Sequence, residues 1–425
     1  MRTRYVSRPW VRAGSVLATG CAALALAACS SASSSSGGTS SAASSAGTAA
    51  SSPAAGTSVS GDPIKVGTII TASGSYGDAV WRQIGPIWQN WTNAHGGING
   101  HPVQLFVEDD QSNPALGLSQ AKELVQQDHV IAFIGASALS TESWLGYLKQ
   151  QNIPIIGGSS AALPGVGSNV FATSLSVSAE TTGIYALAKL ANLSKVANLY
   201  AANGADTAQY ASAQTAAAKQ AGASLVYIRG VTPTQPDFTA PCLGIKSSGA
   251  GIAEVGISPT VTQTIIQTCL QQGYTGAFMT DAGLINPAWN TITTLKSTPI
   301  YVISAVWPFF VNSTPAQKEY LQAIQAYDPG MLTNPGYNAY VQVFWVGFEM
   351  FKAAAEAGGI GPNSTPADVT NALYKLHGET LGGLTAPMTY SSSDSTHPDN
   401  CYFAFELING KWATPFGTGA HCVAS

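Results

Sequence analysis

Two doubly wound, parallel-sheet α/β lobes are what this sequence predicts, and two observations predict them. From residue 63 onward, short apolar runs alternate with amphipathic stretches, the pattern of a parallel sheet with helices on both faces. The alternation then restarts near residue 195, so a second sheet follows the first.

In the first half the strand-like runs are 64–70, 103–107, 130–135 and 154–156. Helical patterns at 80–93, 114–127 and 141–151 separate them. The second shows Ala115, Leu118, Ala121, Leu124 and Val125 on one face, the 3.6-residue period of a helix. Punctuation between these elements is sharp. Gly96-Gly97 suits a left-handed helix cap with Ile98 as its apolar contact. Asn99-Gly100 is a two-residue turn, and Asn113-Pro114 reads as N-cap and first turn of the next helix. Glu108, Asp109 and Asp110 then fall just past the carboxyl end of a strand, where open α/β sheets place ligands. Three acids from one short run make poor calcium geometry, so a structural role near a cleft rim is expected.

The second half reads as strands at 195–201, 224–229, 251–257, 276–280 and 299–305. Helices at 207–221, 237–247, 259–272 and 286–293 lie between them. Further helices follow at 314–328, 336–358 and 365–377. The middle one carries Tyr340, Val343, Phe344, Val346, Phe348 and Phe351 and should be deeply packed. The end reads as a β-hairpin, 401–407 and 411–413, turning at Asn409-Gly410.

The first 62 residues stand apart. Arg2, Arg4, Arg8 and Arg12 precede a mostly apolar run, 13–28, too short to favour a membrane span. The run ends in Leu26-Ala27-Ala28-Cys29, which resembles the lipobox of bacterial lipoproteins, with Cys29 as the lipidated first residue of the mature chain. Ordinary secretory cleavage after Ala25-Leu26-Ala27 is the alternative. Residues 30–62 are almost entirely Ser, Ala, Gly and Thr, and cannot bury enough apolar surface to offset chain entropy. They read as a disordered tether. Cleavage removes four arginines and no acid, taking the formal net charge from −4 to −8. Such an acidic surface argues against nucleic acid as a partner.

Cys242, Cys269, Cys401 and Cys422 remain in an exported chain, an even number that reads as disulfides. Cys242 with Cys269 and Cys401 with Cys422 are the pairs closest in sequence. A metal site is the alternative, but no C-x-x-C or nearby histidine pair supports one.

Chemistry gathers after the strands. The segments 71–77, 136–142 and 157–161 are rich in small hydroxyl residues and free backbone N–H groups, and parallel pairing collects them at one edge. Helix N-termini of this kind bind anions such as a carboxylate. Ser73 and Tyr76 in the first loop, Ser140 or Thr141 in the second, and Ser159 or Ser160 in the third are the candidates. N-capping and turn chemistry explain any one loop equally well. In the second half, Asp281 ends a strand and can face this edge with a carboxylate for an ammonium. Asp206, after another strand, offers the same. Trp81 and Trp307, with Tyr76, are possible aromatic walls, although most such residues are core. There is no G-x-S-x-G elbow, no H-E-x-x-H and no phosphate loop, so neither catalysis nor a cofactor is expected.

Five segments together resemble the leucine/isoleucine/valine-binding proteins: Ser73-Gly74-x-Tyr76-Gly77, Asn93-Ala-x-Gly-Gly-Ile-x-Gly100, Glu108-Asp109-Asp110, Phe133-Ile-Gly135 and Ile153-Pro-Ile-Ile156. These are solute-binding components of ABC importers with the type I periplasmic binding fold. The resemblance implies two lobes joined by three hinge crossings, 63–182 with 313–386 and 183–312 with 387–425. It implies a ligand trapped between them, an amino acid or related amide. Its carboxylate would sit on Ser140, Thr141, Ser159 and Ser160, and its ammonium on Asp281. Tyr76 matches the aromatic of the first loop. The chain departs from the family in a sparser hydroxyl run at 136–141, in Ile257-Ser258 where a pocket tyrosine is common, and by a one-residue gap near Asp281. The implied partners are permease subunits and the membrane, through the anchor on the outer face of the cell membrane. The receptor would be a monomer. A sensory ligand-binding domain is the alternative, and an exported hydrolase a weaker one.

Overall fold

In the computed structural model the described residues are 59–74, 79–135, 140–158, 169–173, 175, 177–202, 207–392 and 401–423. The predicted leader, Cys29 and the tether up to residue 58 lie outside them.

The first sheet is built from β1 (Ile64–Ile70), β2 (Val103–Asp109), β3 (Phe133–Ile134), β4 (Ile155–Ile156) and β5 (Val170–Phe171). Three helices alternate with its first four strands: α1 (Trp81–Ala94), α2 (Pro114–Gln126) and α3 (Thr141–Gln150). All strand pairs are parallel, in the order β2-β1-β3-β4-β5. Near-continuous burial of β1 shows why its sequence is mostly apolar, with Lys65 its one partly exposed residue: it is covered on both faces.

The chain then enters α4 (Val177–Leu190) and builds the second sheet. This adds β6 (Lys195–Ala201), α5 (Thr207–Gln220), β7 (Ser224–Val231), α6 (Thr239–Ser247), β8 (Ile252–Gly256), α7 (Pro259–Gln271), β9 (Ala277–Asp281) and β10 (Ile300–Ser304). Their order is β7-β6-β8-β9-β10, parallel throughout, which repeats the order of the first sheet. α8 (Pro315–Tyr327), α9 (Ala339–Gly358) and α10 (Pro366–Leu373) follow. They return to the first lobe: α9 touches α1, β3 and β4, and α8 touches α1. Last come β11 (Cys401–Ile408), β12 (Lys411–Ala413) and β13 (His421–Cys422), added antiparallel beside β10.

The chain therefore crosses between lobes three times: after β5, after β10 and before β11. The crossings are bonded to one another. The Tyr390 hydroxyl donates to the Ala172 carbonyl at 2.7 Å, the Trp307 N–H donates to the Leu384 carbonyl at 3.1 Å, and Val306 bridges Thr385.

Local chemistry explains the boundaries. The Asn113 side chain accepts from the N–H groups of Ala115 and Leu116, with Pro114 in the first turn. Thr314 and Thr365 each close a capping box ahead of a proline. Asn99 and Gly100 both have positive φ, as a tight turn of this kind requires. α9 is apolar on nearly every side and is buried accordingly, ending at Gly359 in the left-handed region.

Several expectations need correction. Glu108 and Asp109 are the last residues of β2, and only Asp110 lies beyond it. The strands expected at 130–135 and 154–156 shrink to two residues each, Phe133–Ile134 and Ile155–Ile156. The helix expected at 286–293 is a 3-10 turn, Pro287–Thr291. α4, β5 and β13 were not anticipated.

Both disulfides form as expected, Cys242–Cys269 and Cys401–Cys422. The first joins α6 to α7 inside the second lobe's core, with both cysteines fully buried. Closing a loop of this size constrains the unfolded chain by about 3 kcal/mol. The double substitution Cys242→Ser/Cys269→Ser should lower unfolding free energy by about that amount, read as a shifted urea midpoint.

Candidate functional site

In each sheet the strand order reverses once, between β1 and β3 in the first lobe and between β6 and β8 in the second. Open α/β sheets bind ligands outside the carboxyl ends at such a switch point.

On the first lobe, the acids of β2 hold this edge together. The Asp109 carboxylate accepts from the N–H groups of Ala72, Ser73 and Gln111 at 3.0, 3.3 and 3.0 Å, and from the Ser73 hydroxyl at 2.7 Å. Partial burial pulls its pKa up, but these hydrogen bonds, led by the Ser73 hydroxyl, outweigh it and leave the group below the usual carboxylate range. Asp110 accepts from the N–H groups of Ser112 and Ser140 at 2.9 and 3.1 Å. The acids thus staple the β1 loop and the start of α3 to β2, the structural role expected of them.

The same contacts locate several predicted residues. Ser140 is fully buried, and its hydroxyl accepts from the Trp144 indole at 3.1 Å. Its side chain is engaged within the lobe and does not cap α3. Thr141 begins α3 and is almost fully buried. The Ser73 hydroxyl is taken by Asp109. Tyr76, Ser159, Ser160 and Asp206 lie outside the described residues. Trp307 is core, packed edge-to-face on Tyr320 at 5.1 Å, whereas Trp81 meets Tyr340 edge-to-face at 5.4 Å.

On the second lobe Asp281 ends β9. Its carboxylate accepts from the Gly283 N–H at 2.6 Å and so caps the 3-10 turn Ala282–Leu284. The same side chain lines a cavity of about 70 Å³. Glu180 from α4 shares that wall, Ser304 and Ala305 come from the second crossing, and Tyr340 and Val343 of α9 form the opposite side. The turn and the cavity are compatible roles, because capping fixes the carboxylate at the cavity's edge.

Glu180 and Glu254 escaped the sequence reading. Glu180 sits on the unanticipated α4. Glu254 lies inside β8, and an acid within an otherwise apolar strand, Ile252–Gly256, is a mismatch that signals it. Burial pushes Glu180 up to about 7, assisted by the charge of Asp281. Burial pushes Asp281 up to about 6, against the downward pull of the Gly283 and Ala282 N–H groups. Glu254 is raised further still, by burial first and then by Glu180 and Asp281. Among the described residues, no group of three or more histidine, cysteine or acidic side chains is arranged to hold a metal.

Two lobes of one strand order, three crossings and a polar cavity between them define a two-lobed binding protein. The sequence model of the periplasmic binding protein family matches residues 63–411, and the chain belongs to that family. An amino acid binding protein of Pseudomonas aeruginosa is 26% identical over 248 residues, covering 56% of this chain and 64% of that protein, so less than two thirds of it is spanned. A Leu/Ile/Val-binding protein homolog of Brucella melitensis is 25% identical over 326 residues, covering 75% of this chain and 84% of its own length. Among solved structures, a solute-binding protein of an ABC transporter from Rhodopseudomonas palustris, in complex with p-hydroxybenzoic acid, aligns with a TM-score of 0.68 and 18% identity, covering 86% and 98% of the two chains. The LivJ protein of Streptococcus pneumoniae with isoleucine aligns at 0.65 and 17%, covering 85% and 99%. At these identities the structural matches speak for the fold: a type I periplasmic binding protein.

A buried acid whose folded pKa is raised favours the fold when protonated. Its contribution is therefore lost as pH rises from the ordinary carboxylate range through the folded value. Asp281→Asn, which keeps an acceptor for Gly283, should stabilise the empty protein near pH 8 by on the order of 1–3 kcal/mol and leave it unchanged near pH 4. Melting temperatures at the two pH values check this.

Proposed function

We propose that this protein is an extracytoplasmic receptor of an ABC importer that captures a small polar solute in the cleft between its lobes. The carrying observation is the cavity itself: Asp281 at the end of β9 and Glu180 of α4 face Tyr340 and Val343 of α9, with Leu175 and Ala305 of the first two crossings in its lining. A void of about 70 Å³ accommodates a few waters, while ligand sites for small molecules run to several hundred Å³. Entry of a solute therefore requires the walls to part, and three crossings provide a hinge for that motion.

An amino acid or related amide fits this arrangement. Asp281 receives an ammonium, and hydroxyl and N–H groups of the first-lobe loops, including Tyr76, Thr141, Ser159 and Ser160, receive a carboxylate, while Ser73, whose hydroxyl and N–H both donate to Asp109, only shapes that rim. Asp206 is a second candidate acid for the ammonium. The names of the relatives support the class: one is an amino acid binding protein and another a Leu/Ile/Val-binding homolog. The same fold and pocket also serve a ligand-sensing domain, and adjacent permease and ATPase genes would favour transport over sensing.

Thermal shift and tryptophan fluorescence against amino acids, amides and aromatic acids test the reading, since a ligand raises the melting temperature by mass action. A hit that carries an α-amino group should lose at least tenfold in affinity in Asp281→Ala. Unchanged affinity would remove Asp281 from the ammonium role.

The export reading assigns residues 1–28 to a lipoprotein signal peptide, Cys29 to a lipid anchor and 30–62 to a tether, with the receptor on the outer face of the cell membrane. Cys29→Ser should move the protein from the membrane fraction to the soluble exported fraction. Retention in the membrane fraction would count against the anchor.

A further inference from the structure

Behind the Asp281 wall, under α4 and α5, lies a polar layer that an ammonium alone does not use. Strand register places it. On one face of the second sheet, Val196 and Ile252 pair side by side with Ala277, an apolar row. The next row toward the carboxyl ends is Asn198, Glu254 and Met279. Beyond it come Tyr200 and Gly256, with Asp281 two residues past Met279. Asn198 on β6 and Glu254 on β8 thus flank the switch point of this lobe.

α4 and α5 cover that face, with Tyr185, Leu187 and Ala188 of one and Ala217 and Ala218 of the other packed over Val196, Ile252 and Met279. They bring their own polar groups. The Tyr185 hydroxyl donates to Gln214 Oε1 at 2.8 Å, and Tyr210 stacks on Tyr200 with ring centroids 4.2 Å apart. Glu180 of α4 and Asp281 of β9 are both near enough to Glu254 for their charges to raise it. Among the described residues the ion pairs are those of Lys352 with Glu319 and Glu349, on the other lobe, so none of the three has a basic partner.

If Glu254 were simply a neutral core acid, its polar atoms would be satisfied within the fold. They are not. Glu254 is 5% exposed, and its Oε2 has no hydrogen-bond partner. Asn198 is fully buried beside the hydroxyls of Tyr185 and Tyr210. Yet neither its Oδ1 nor its Nδ2 reaches a partner in hydrogen-bonding geometry. Each such atom costs about 1–3 kcal/mol, and a ligand bearing donors removes that cost for the two acceptors, Glu254 Oε2 and Asn198 Oδ1. Two residues along a strand span ~7 Å, so this acid-and-amide seat lies about that far inside the Asp281 row. The surrounding tyrosine rings suit a cation as well.

We propose that the solute carries two positively charged groups, one received by Asp281 and Glu180 at the cavity and the second by Glu254 and Asn198 one row deeper. A basic amino acid or a short diamine has this form. The proposal rests on the receptor reading and narrows its ligand class.

Binding of such a cation requires ionised carboxylates. The titratable groups facing the site are Glu180 and Tyr185 from α4, Tyr200 from β6, Tyr210 from α5, Glu254 from β8, Asp281 from β9 and Tyr340 from α9. Burial holds the acids toward their protonated forms, so a bound cation must expel protons, and affinity must rise with pH.

Titration calorimetry on the mature chain, with arginine, putrescine, leucine and 4-hydroxybenzoate as probes, tests this. Arginine or putrescine should bind, at least tenfold more tightly near pH 8 than near pH 5, with proton release visible as a buffer-dependent heat. Glu254→Gln, checked for folding by circular dichroism, should lose at least tenfold in that affinity. Cation binding that is indifferent to Glu254→Gln, or to pH in the unaltered protein, overturns the second seat. Silence of both cations overturns the proposal outright. Leucine or 4-hydroxybenzoate binding in that case leaves the receptor reading intact, while silence of all four counts against both.

Discussion

Parallel pairing of β1 and β6 with a neighbour on each side constrains everything else in this molecule. Parallel strands must all end on one side, so the loops that follow them gather at one edge. Each crossover needs a helix, so the sheets are covered and their central strands are mostly apolar, which makes Asn198 and Glu254 stand out. The order β2-β1-β3-β4-β5, repeated as β7-β6-β8-β9-β10, leaves one gap per lobe where neighbouring loops diverge. The polar chemistry described above lies at those two gaps.

Keeping the edges in place takes specific contacts. On the first lobe the contacts are anionic: Asp109 and Asp110 bind five backbone N–H groups and one hydroxyl, so the loop after β1 and the start of α3 stay attached to β2. On the second lobe the arrangement is reversed. There Asp281 has the N–H groups of its own turn, Glu254 Oε2 has no donor, and burial rather than hydrogen bonding dominates their protonation. One lobe spends its carboxylates on structure, while the other keeps them available.

Much of this was legible from residue patterns. Asn113-Pro114, Asn99-Gly100 and the Ser/Thr-Pro starts mark element boundaries because each has one favoured backbone solution. The pairing of four cysteines followed from their closeness along the chain. Asp281 was legible as an acid at a strand end. α4 was not, because its small residues, Ala179, Gly183 and Ala188, blur the apolar stripe of a helix. Glu180 was lost with it. Glu254 was hidden because sequence shows a strand's composition but not which neighbour lies across the sheet. Only the register that sets it beside Asn198 shows the pair. The buried Ser140 shows the reverse failure: a hydroxyl at a helix start looks available until Trp144 is seen to hold it.

The bonded crossings have a mechanical consequence. With Tyr390 fastened to Ala172, Trp307 to Leu384 and Val306 to Thr385, three separate tethers behave as one narrow ribbon. Because the three connections are bonded side by side, a load on any one of them is shared by the other two.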